Sequence, residues 1–335
     1  MKKYISILLS VVMLFSIMIP TSAFAASTTS DLSAADMIDD NGTEYLFDPE
    51  TNQYLPIRHI EDEVAEITKR NGHDLEFEKQ FENKRAADAI LSQNTAQSRS
   101  ATEAPVPGGV GYGTYFTSDF QSDFTTGTTL FYNIICPSKA GGDVNDYLYL
   151  TSTNRAAKGV EAFISYYKQN NPYFKVYDWA QPESDRWQVS MSYSELSDYL
   201  TTKTISGASR QCVTVQNRTV KSSSTQWKNV VWLKNYETDS YDQIYSYTYT
   251  ATLSDQRDSH YGSWGPIVET FQESYDENTN VVGFYNINLM SKTTAYTSST
   301  WGEWELLTDD VSTIRNDNLG FSVVFRTPNH TFGVH

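Results

Sequence analysis

Cysteine, basic residues and long apolar segments are all scarce in this sequence. Its two cysteines are Cys136 and Cys212, and none of its five histidines lies close to either along the chain, so a metal site built on them has no partners in sequence. They form either a disulfide, if the surroundings are oxidising, or two buried thiols. With 25 basic against 41 acidic residues the net charge is −16, which disfavours nucleic acid and anionic lipid as partners.

The one long apolar run lies at the N-terminus and predicts export. Two lysines precede the run Tyr4–Ile19, and the small-x-small sequence Ala23–Ala25 follows it. This is the pattern of a secretory signal peptide over residues 1–25 that is cleaved before Ala26. No later run approaches the ~18 apolar residues of a membrane-spanning helix. We therefore expect a secreted, extracellular protein with no membrane attachment after cleavage.

Residues 26–104 differ from the rest of the chain in charge. Between Asp31 and Glu103 there are seventeen acidic and seven basic residues, and a Ser-, Gln- and Thr-rich linker then leads into a Pro- and Gly-rich stretch at 105–109. We place a domain boundary near Ala104. The acidic region is a small domain, an interaction arm, or a pro-segment that masks the following domain until the linker is cut.

The acidic region is predicted to be partly helical. Apolar residues flank the turn sequence at 48–50, as in a short hairpin. Helical spacing from Ile60 to Ile67 ends at Gly72, and a second helical pattern covers 75–91.

Residues 105–335 are rich in Tyr, Trp, Thr and Val, which suit half-buried strands. Short turns separate most of the strand patterns, and no long helical pattern interrupts them. We predict an all-β domain, an antiparallel two-sheet sandwich of concanavalin-like or jelly-roll type. The predicted strands are 114–120, 128–136, 146–152, 159–167, 173–179, 187–193, 210–220, 226–236, 241–253, 266–275, 281–290 and 319–326.

Three of these segments carry a resemblance to a known family. The segments 147–153, 159–167 and 173–179, with Trp187 opening the next strand, resemble the strands of an uncharacterised secreted family of concanavalin-like sandwich proteins from Bacillus-type bacteria. The likeness covers residues 110–326 and implies the fold. Wider relatives include lectins, carbohydrate-binding modules, polysaccharide lyases and endoglucanases, so the fold alone does not choose a function.

The enzymes among these relatives use motifs that this chain lacks. The Glu-x-Asp-x-x-Glu strand of glucanases and the Gln-x-His strand of alginate lyases are absent, and so is the Gly-x-Ser-x-Gly signature of serine nucleophiles in general. Glu269 and Glu273 share a predicted strand face, but at ~13 Å apart they are too distant to act as a carboxylate pair. A catalytic alternative, a polysaccharide lyase or glycoside hydrolase, would need an unrecognised site around His260, Glu269, Glu273 and Tyr285.

Aromatic residues are abundant, with 23 tyrosines and seven tryptophans. Sugar rings stack on aromatic side chains, although a two-layer sandwich also needs many of these residues in its core. Strand alternation selects one candidate face for glycan contact. The predicted ligand-binding residues are Tyr173, Lys175, Tyr177, Trp179, Asn286 and Asn288.

The sequence therefore predicts a secreted glycan-binding (lectin-like) or matrix-associated β-sandwich protein without catalysis. Its expected partner is a polysaccharide or a cell-surface glycan, and no cofactor is expected. Structural calcium at Asp143, Asn145 and Asp146 is an alternative, because clustered oxygen ligands suit this ion. Ordinary turn chemistry explains the same residues equally well.

Overall fold

The structure is a computed structural model. It describes residues 34–72, 78, 112–118, 124–132, 147–153, 158–167, 171–205, 207–221, 225–252, 265–270, 282–292, 304–306, 312–316, 323–326 and 331–334. All of these belong to one compact unit, Ser33–His335. The predicted domain boundary near Ala104 lies outside the described residues.

Two β-sheets account for most of the described chain, one of twelve strands and one of seven. The larger sheet contains β1 (Met37–Ile38), β2 (Glu44–Asp48), β3 (Gln53–His59), β5 (Phe124–Tyr132), β10 (Leu200–Ile205), β11 (Ala208–Lys221), β12 (Gln226–Asn235), β13 (Ser240–Thr250), β15 (Val282–Lys292), β16 (Trp304–Leu306), β18 (Val323–Arg326) and β19 (Thr331–Val334). The smaller sheet contains β4 (Tyr112–Ser118), β6 (Tyr147–Thr153), β7 (Val160–Tyr167), β8 (Asn171–Asp178), β9 (Trp187–Ser192), β14 (Gly265–Thr270) and β17 (Ser312–Asn316).

The strand order separates the two sheets clearly. The larger sheet runs β1-β2-β3-β13-β12-β11-β5-β15-β19-β18, with β10 beside β11 and β16 beside β15. The smaller sheet runs β17-β4-β14-β6-β7-β8-β9. Pairing is antiparallel apart from β3 with β13, which is parallel. The predicted all-β class with two sheets is confirmed, and each predicted strand overlaps an observed one.

The main core lies between the sheets. On β8, Phe174 and Val176 are fully buried and share a strand face with Asp178, which accepts a hydrogen bond from Tyr245 of the larger sheet. From that sheet Asn217 donates a 3.0 Å hydrogen bond to the carbonyl of Val160 on β7. Apolar contact and buried polar contact therefore both join the layers.

A second core lies where the N-terminal hairpin, β2 with β3, and the residues before it pack against β11, β12 and β13 of the same sheet. Its buried members come from residues 34–57 and from β11, β12 and β13: Ala34, Leu46, Leu55, Ile57, Val220, Val230, Trp232 and Tyr241. Two ion pairs hold residues 34–48 there, Arg218 with Asp36 at 2.7 Å and Lys234 with Asp48 at 2.7 Å, and both cations are buried. The acidic N-terminal region is thus built into the sandwich over residues 34–59.

One α-helix, α1 (Glu61–Asn71), follows the hairpin in the described chain. It ends at Gly72, which has a positive φ of 71° and donates its N–H to the carbonyl of Thr68. Val64 is its buried residue, as the helical spacing predicts. Of the second predicted helix, 75–91, only Glu78 is described. No helix in the described stretches is long and apolar enough to cross a membrane.

Candidate active site

The outer face of the smaller sheet, which points away from the larger sheet, carries polar and aromatic residues. Along β8, Val176 and Asp178 are buried toward the larger sheet, and Asp178 accepts a 2.6 Å hydrogen bond from Tyr245 of that sheet. Because successive side chains alternate across a strand, Lys175 and Tyr177 lie on the opposite side. That side is the outer face.

Strand register extends the outer face across the sheet to a glutamate. Tyr173 is opposite Ser165, and Ser165 is opposite Tyr149. Tyr149 is in turn opposite Glu269, whose neighbour on the other side is Gly113. Five strands therefore contribute one residue each to a single row, which we call the Glu269 row. Glu269 itself lies on β14, inside the sheet between β4 and β6.

Two members of the Glu269 row are unusual for the interior of a sheet. Glutamate is depleted in strands, and glycine inside a strand often marks a position where a ligand approaches the backbone closely. Gly113 and Glu269 are direct neighbours. Ser165, the register partner of Tyr149, has a buried side chain. By backbone register the row places Glu269 between Gly113 and Tyr149.

Packed aromatic rings form the end of the outer face beside β9. The ring of Tyr177 lies 4.9 Å from that of Trp179 and 5.0 Å from that of Trp187. Arg186 lies 5.1 Å from the Trp179 ring centre and donates a 3.2 Å hydrogen bond to the Tyr177 hydroxyl. The Trp179 indole donates a 2.9 Å hydrogen bond to Glu161. These contacts hold the rings edge to face, which is a favourable arrangement for aromatic pairs.

Lys175 is buried within this face, with only 2% of its surface exposed. Its Nζ lies 3.9 Å from an oxygen of Glu78 and 5.7 Å from the ring centres of both Tyr173 and Trp187. Glu78 belongs to the acidic N-terminal region. That region therefore reaches the outer face of the smaller sheet.

The predicted glycan-contacting strip shares one face but is not an exposed surface. Tyr177 is fully buried and Lys175 nearly so, while Tyr173 and Trp179 are half-buried. The reason is that aromatic packing encloses Tyr177 and an ion pair from the N-terminal region covers Lys175. Alternation alone does not show either form of cover.

The structure separates the other predicted site residues. Asn286 and Asn288 lie on β15 of the larger sheet, so they do not support a strip on the smaller one. Tyr285 is also on β15, whereas Glu269 is on β14, so the catalytic alternative does not form one face. Cys212 is buried on β11. Outside the described residues lie His260, Glu273, Asp143, Asn145, Asp146 and Cys136.

The disulfide and the calcium site therefore stay predictions. Within the described stretches, no group of three or more His, Cys, Asp or Glu side chains is placed to hold a metal ion.

Asp178 is a buried carboxyl group that sequence reasoning did not select. Besides the Tyr245 hydroxyl, it accepts hydrogen bonds of 2.7 Å from the side chain of Asn229 and from the backbone N–H of Ala180. Burial raises its pKa to about 6, against the opposing effect of these hydrogen bonds and of Arg186. The signal in the sequence was an aspartate on the apolar face of its strand.

Comparisons with known proteins find similarity to two solved peptidase structures. No family model and no curated protein matches it. Among solved structures it is similar to SCP-B, a member of the eqolisin family of peptidases in a complex with the tripeptide Ala-Ile-His, at 12% identity and a TM-score of 0.35. It is also similar to Scytalido-glutamic peptidase with a peptide-based transition state analog, at 12% identity and a TM-score of 0.30. Each comparison covers 67% of this chain and 96% of the other.

This finding corrects the predicted function. Both structures are of peptidases, which are enzymes, whereas the sequence predicted a glycan-binding or matrix-associated protein without catalysis. That prediction is contradicted. The resemblance to a secreted family of Bacillus-type bacteria stays a prediction, since no family model matches.

Proposed function

We propose that the chain is a secreted hydrolase that cleaves an acyl bond, a peptide bond in the first instance, on the outer face of the smaller sheet. Glu269 is the residue that activates water. The proposal rests on the Glu269 row, where a glutamate inside the sheet has Gly113 on one side and Tyr149 on the other. The signal-peptide pattern and a sandwich of concanavalin-like type are parts of the same proposal.

The chemistry assigned to Glu269 is that of a general base followed by a general acid. Its carboxylate takes a proton from water as the water oxygen bonds to the carbonyl carbon, and negative charge moves to the carbonyl oxygen. When the carbon–nitrogen bond breaks, the same carboxyl group returns the proton to the leaving amine. Tyr149 is the candidate hydrogen-bond donor to the charged oxygen, a role that hydroxyl groups fill in other active sites.

An acyl bond is a better substrate for this row than a glycosidic bond. Glycoside hydrolysis uses two carboxyl groups on either side of the bond. Neither strand neighbour of Glu269, Gly113 or Tyr149, carries one, and neither does Ile267, two positions earlier on the same strand. One carboxyl group with a hydroxyl donor is sufficient for adding water to a carbonyl.

Gly113 has a specific place in this proposal. A side chain at that position would stand directly beside Glu269, because the two residues are register partners. In this proposal an extended substrate passes over Gly113, which has no side chain, beside Glu269.

A panel of polymers tests the class of reaction. The purified protein is incubated with a denatured protein, a polysaccharide mixture and a simple ester, and new amino ends, reducing ends and acids are measured. We expect new amino ends from the protein substrate. New reducing or unsaturated ends without new amino ends would instead support the polysaccharide-cleaving alternative and would overturn the proposal.

A further inference from the structure

The free edge of β9 is covered by side chains of α1 rather than by another strand. Among the described strands, β9 is the last of the smaller sheet and pairs with β8 alone. On its other side, the N–H of Ser190 donates to the hydroxyl of Thr68 at 3.0 Å, and the carbonyl of Ser190 accepts from the Asn71 side chain at 2.9 Å. These are the two backbone hydrogen bonds that a neighbouring antiparallel strand would make at Ser190.

Glu195 binds the next outward-pointing backbone N–H of the β9 edge, that of Ser192, and also contacts α1. Its carboxylate accepts hydrogen bonds from the N–H of Ser192 at 2.7 Å and from the Asn71 side chain at 2.6 Å, and it pairs with Arg70 at 2.5 Å. Desolvation alone would raise the pKa of Glu195, but the hydrogen bonds from Asn71, Ser192 and Arg70 outweigh it and lower the pKa to about 2. The carboxylate is therefore charged at neutral pH, and the contact to α1 persists.

β9 has little protection of its own. Its sequence, Trp-Gln-Val-Ser-Met-Ser, contains no charged residue and no proline, which are the usual features that keep an edge strand from pairing with another chain. A register irregularity affects only its start, beside Tyr177. The stretch from Val189 to Ser192 is regular, and Val189 and Met191 are buried on its inner face.

We propose that the edge of β9 is an interaction surface for a second copy of this chain, and that α1 blocks it. When α1 is displaced, β9 pairs antiparallel with β9 of the second copy about a two-fold axis at Ser190. The inference is independent of the proposed function. It assigns α1 the task of keeping the protein monomeric.

A second copy fits this edge because the pairing is self-complementary. With Ser190 at the axis, each Ser190 N–H meets the carbonyl of the other copy, and Val189 lies opposite Met191 of the second copy. Both of these side chains are apolar and buried in each sheet, so the inner faces continue across the junction. β9 itself adds no charge to this junction, although the carboxylate of Glu195 lies beside it at Ser192.

The test removes the two hydrogen bonds from α1 with little change in side-chain size. The double variant Thr68→Val with Asn71→Leu is compared with the unaltered protein by size-exclusion chromatography with light scattering. We expect the double variant to double in mass as its concentration rises. The matched control, Glu66→Gln with Lys69→Gln, changes an exposed pair on the same helix and should leave the mass unchanged.

A third substitution shows whether β9 is the contact. Adding Ser190→Pro to the double variant removes the N–H that points away from β8, so the sheet itself keeps its pairing. The triple variant should return to the mass of the unaltered protein. A folded double variant that stays monomeric, or a dimer that survives Ser190→Pro, would overturn the proposal.

Amide exchange gives a reading that does not depend on the double variant folding. In the single variant Thr68→Val the amide of Ser190 loses its acceptor, so its hydrogen exchange should become at least several-fold faster, while amides inside β8 keep their protection. Unchanged exchange at Ser190 would show that α1 does not cover this edge, and the proposal would fail.

Discussion

Asp178 on β8 accepts a 2.6 Å hydrogen bond from the hydroxyl of Tyr245 on β13, and so joins the two sheets through a buried polar contact. Asn229 on β12 donates to the same carboxyl group at 2.7 Å. Because the group is fully buried, its charge state affects how strongly the two layers hold together.

The stability of the sandwich should depend on pH through Asp178. Burial raises the pKa of Asp178 in the folded protein from 3.8 to about 6, so folding favours the protonated form. This contribution to stability is complete below pH 4 and is lost as the pH rises through 6. The loss is about 3 kcal/mol, since one pKa unit corresponds to about 1.4 kcal/mol. Urea unfolding of the unaltered protein and of Asp178→Asn at pH 4 and pH 7 measures the difference.

Two variants define the expected pattern. Asp178→Asn cannot titrate, so the unaltered protein should lose stability relative to this variant between pH 4 and pH 7. Tyr245→Phe removes a hydrogen bond that lowers the pKa of Asp178, so its pH dependence should shift to higher pH. A free-energy difference between Asp178→Asn and the unaltered protein that is the same at both pH values would contradict this account.

Lys234 should be far more important for stability than Lys203. Both lysines pair with Glu50, but Lys234 is 3% exposed and also pairs with the fully buried Asp48, whereas Lys203 is 31% exposed. Lys234→Met leaves Asp48 as a buried charge without its lysine and should cost about 3 to 5 kcal/mol. Lys203→Met should cost at most about 1 kcal/mol. Denaturant unfolding of the two variants compares the costs, and equal costs would show that the buried pair has no special role.

The N-terminal region should stay attached after a cut in the linker. Arg218 holds Asp36 through two hydrogen bonds of 2.7 and 2.8 Å and lies 5.5 Å from the ring centre of Trp232, and both Arg218 and Trp232 are buried. Removing residues 34–59 would expose this apolar surface and leave Arg218 without its carboxylate. Limited proteolysis between residues 98 and 107 should therefore give two pieces that elute together.

The intact mass of the secreted protein tests the pro-segment alternative directly. A start near Ala26 excludes processing in the linker, and a start near residue 100 supports it. Separate elution of the two pieces without denaturant would contradict the attachment inferred from the ion pairs.

Tyr177 should behave as a core residue. It is fully buried and packs on Trp179 and Trp187 at ring distances of 4.9 and 5.0 Å. Tyr177→Ala should lower the free energy of unfolding by about 3 to 5 kcal/mol, as for other large aromatic residues in cores. Tyr173→Ala, at a half-buried position on the same strand, is the matched control and should cost clearly less. A small change in the free energy of unfolding for Tyr177→Ala would show that Tyr177 is not part of the core and would again favour it as a surface residue.

The local elements of the fold could be predicted because their signals are local. Alternation on β8, the turn around Asp48 and the helical spacing up to Gly72 all depend on residues a few positions apart. The attachment of the N-terminal hairpin could not be predicted in this way. It depends on pairing between β3 and β13, and on Lys234 reaching Asp48, across more than 180 residues of chain.

The candidate site shows the same division between local and long-range information. Alternation placed Lys175 and Tyr177 on one face, but their burial depends on Trp187 and on Glu78, which come from other parts of the chain. Glu269 stood out as a strand glutamate, yet its neighbours follow only from the strand order, in which β14 lies between β4 and β6. Sequence spacing could not show that Tyr285 belongs to the other sheet.

The most direct test of the central claim is the rate of peptide hydrolysis by Glu269→Gln compared with Glu273→Gln and the unaltered protein, each shown to be folded. The two glutamates are four positions apart in the sequence. Each substitution removes one carboxylate, so the two variants change the net charge equally. The account predicts that Glu269→Gln loses at least about 100-fold in rate, in line with the loss of a general base, while Glu273→Gln keeps most of its activity. Hydrolysis that persists in Glu269→Gln would contradict the account.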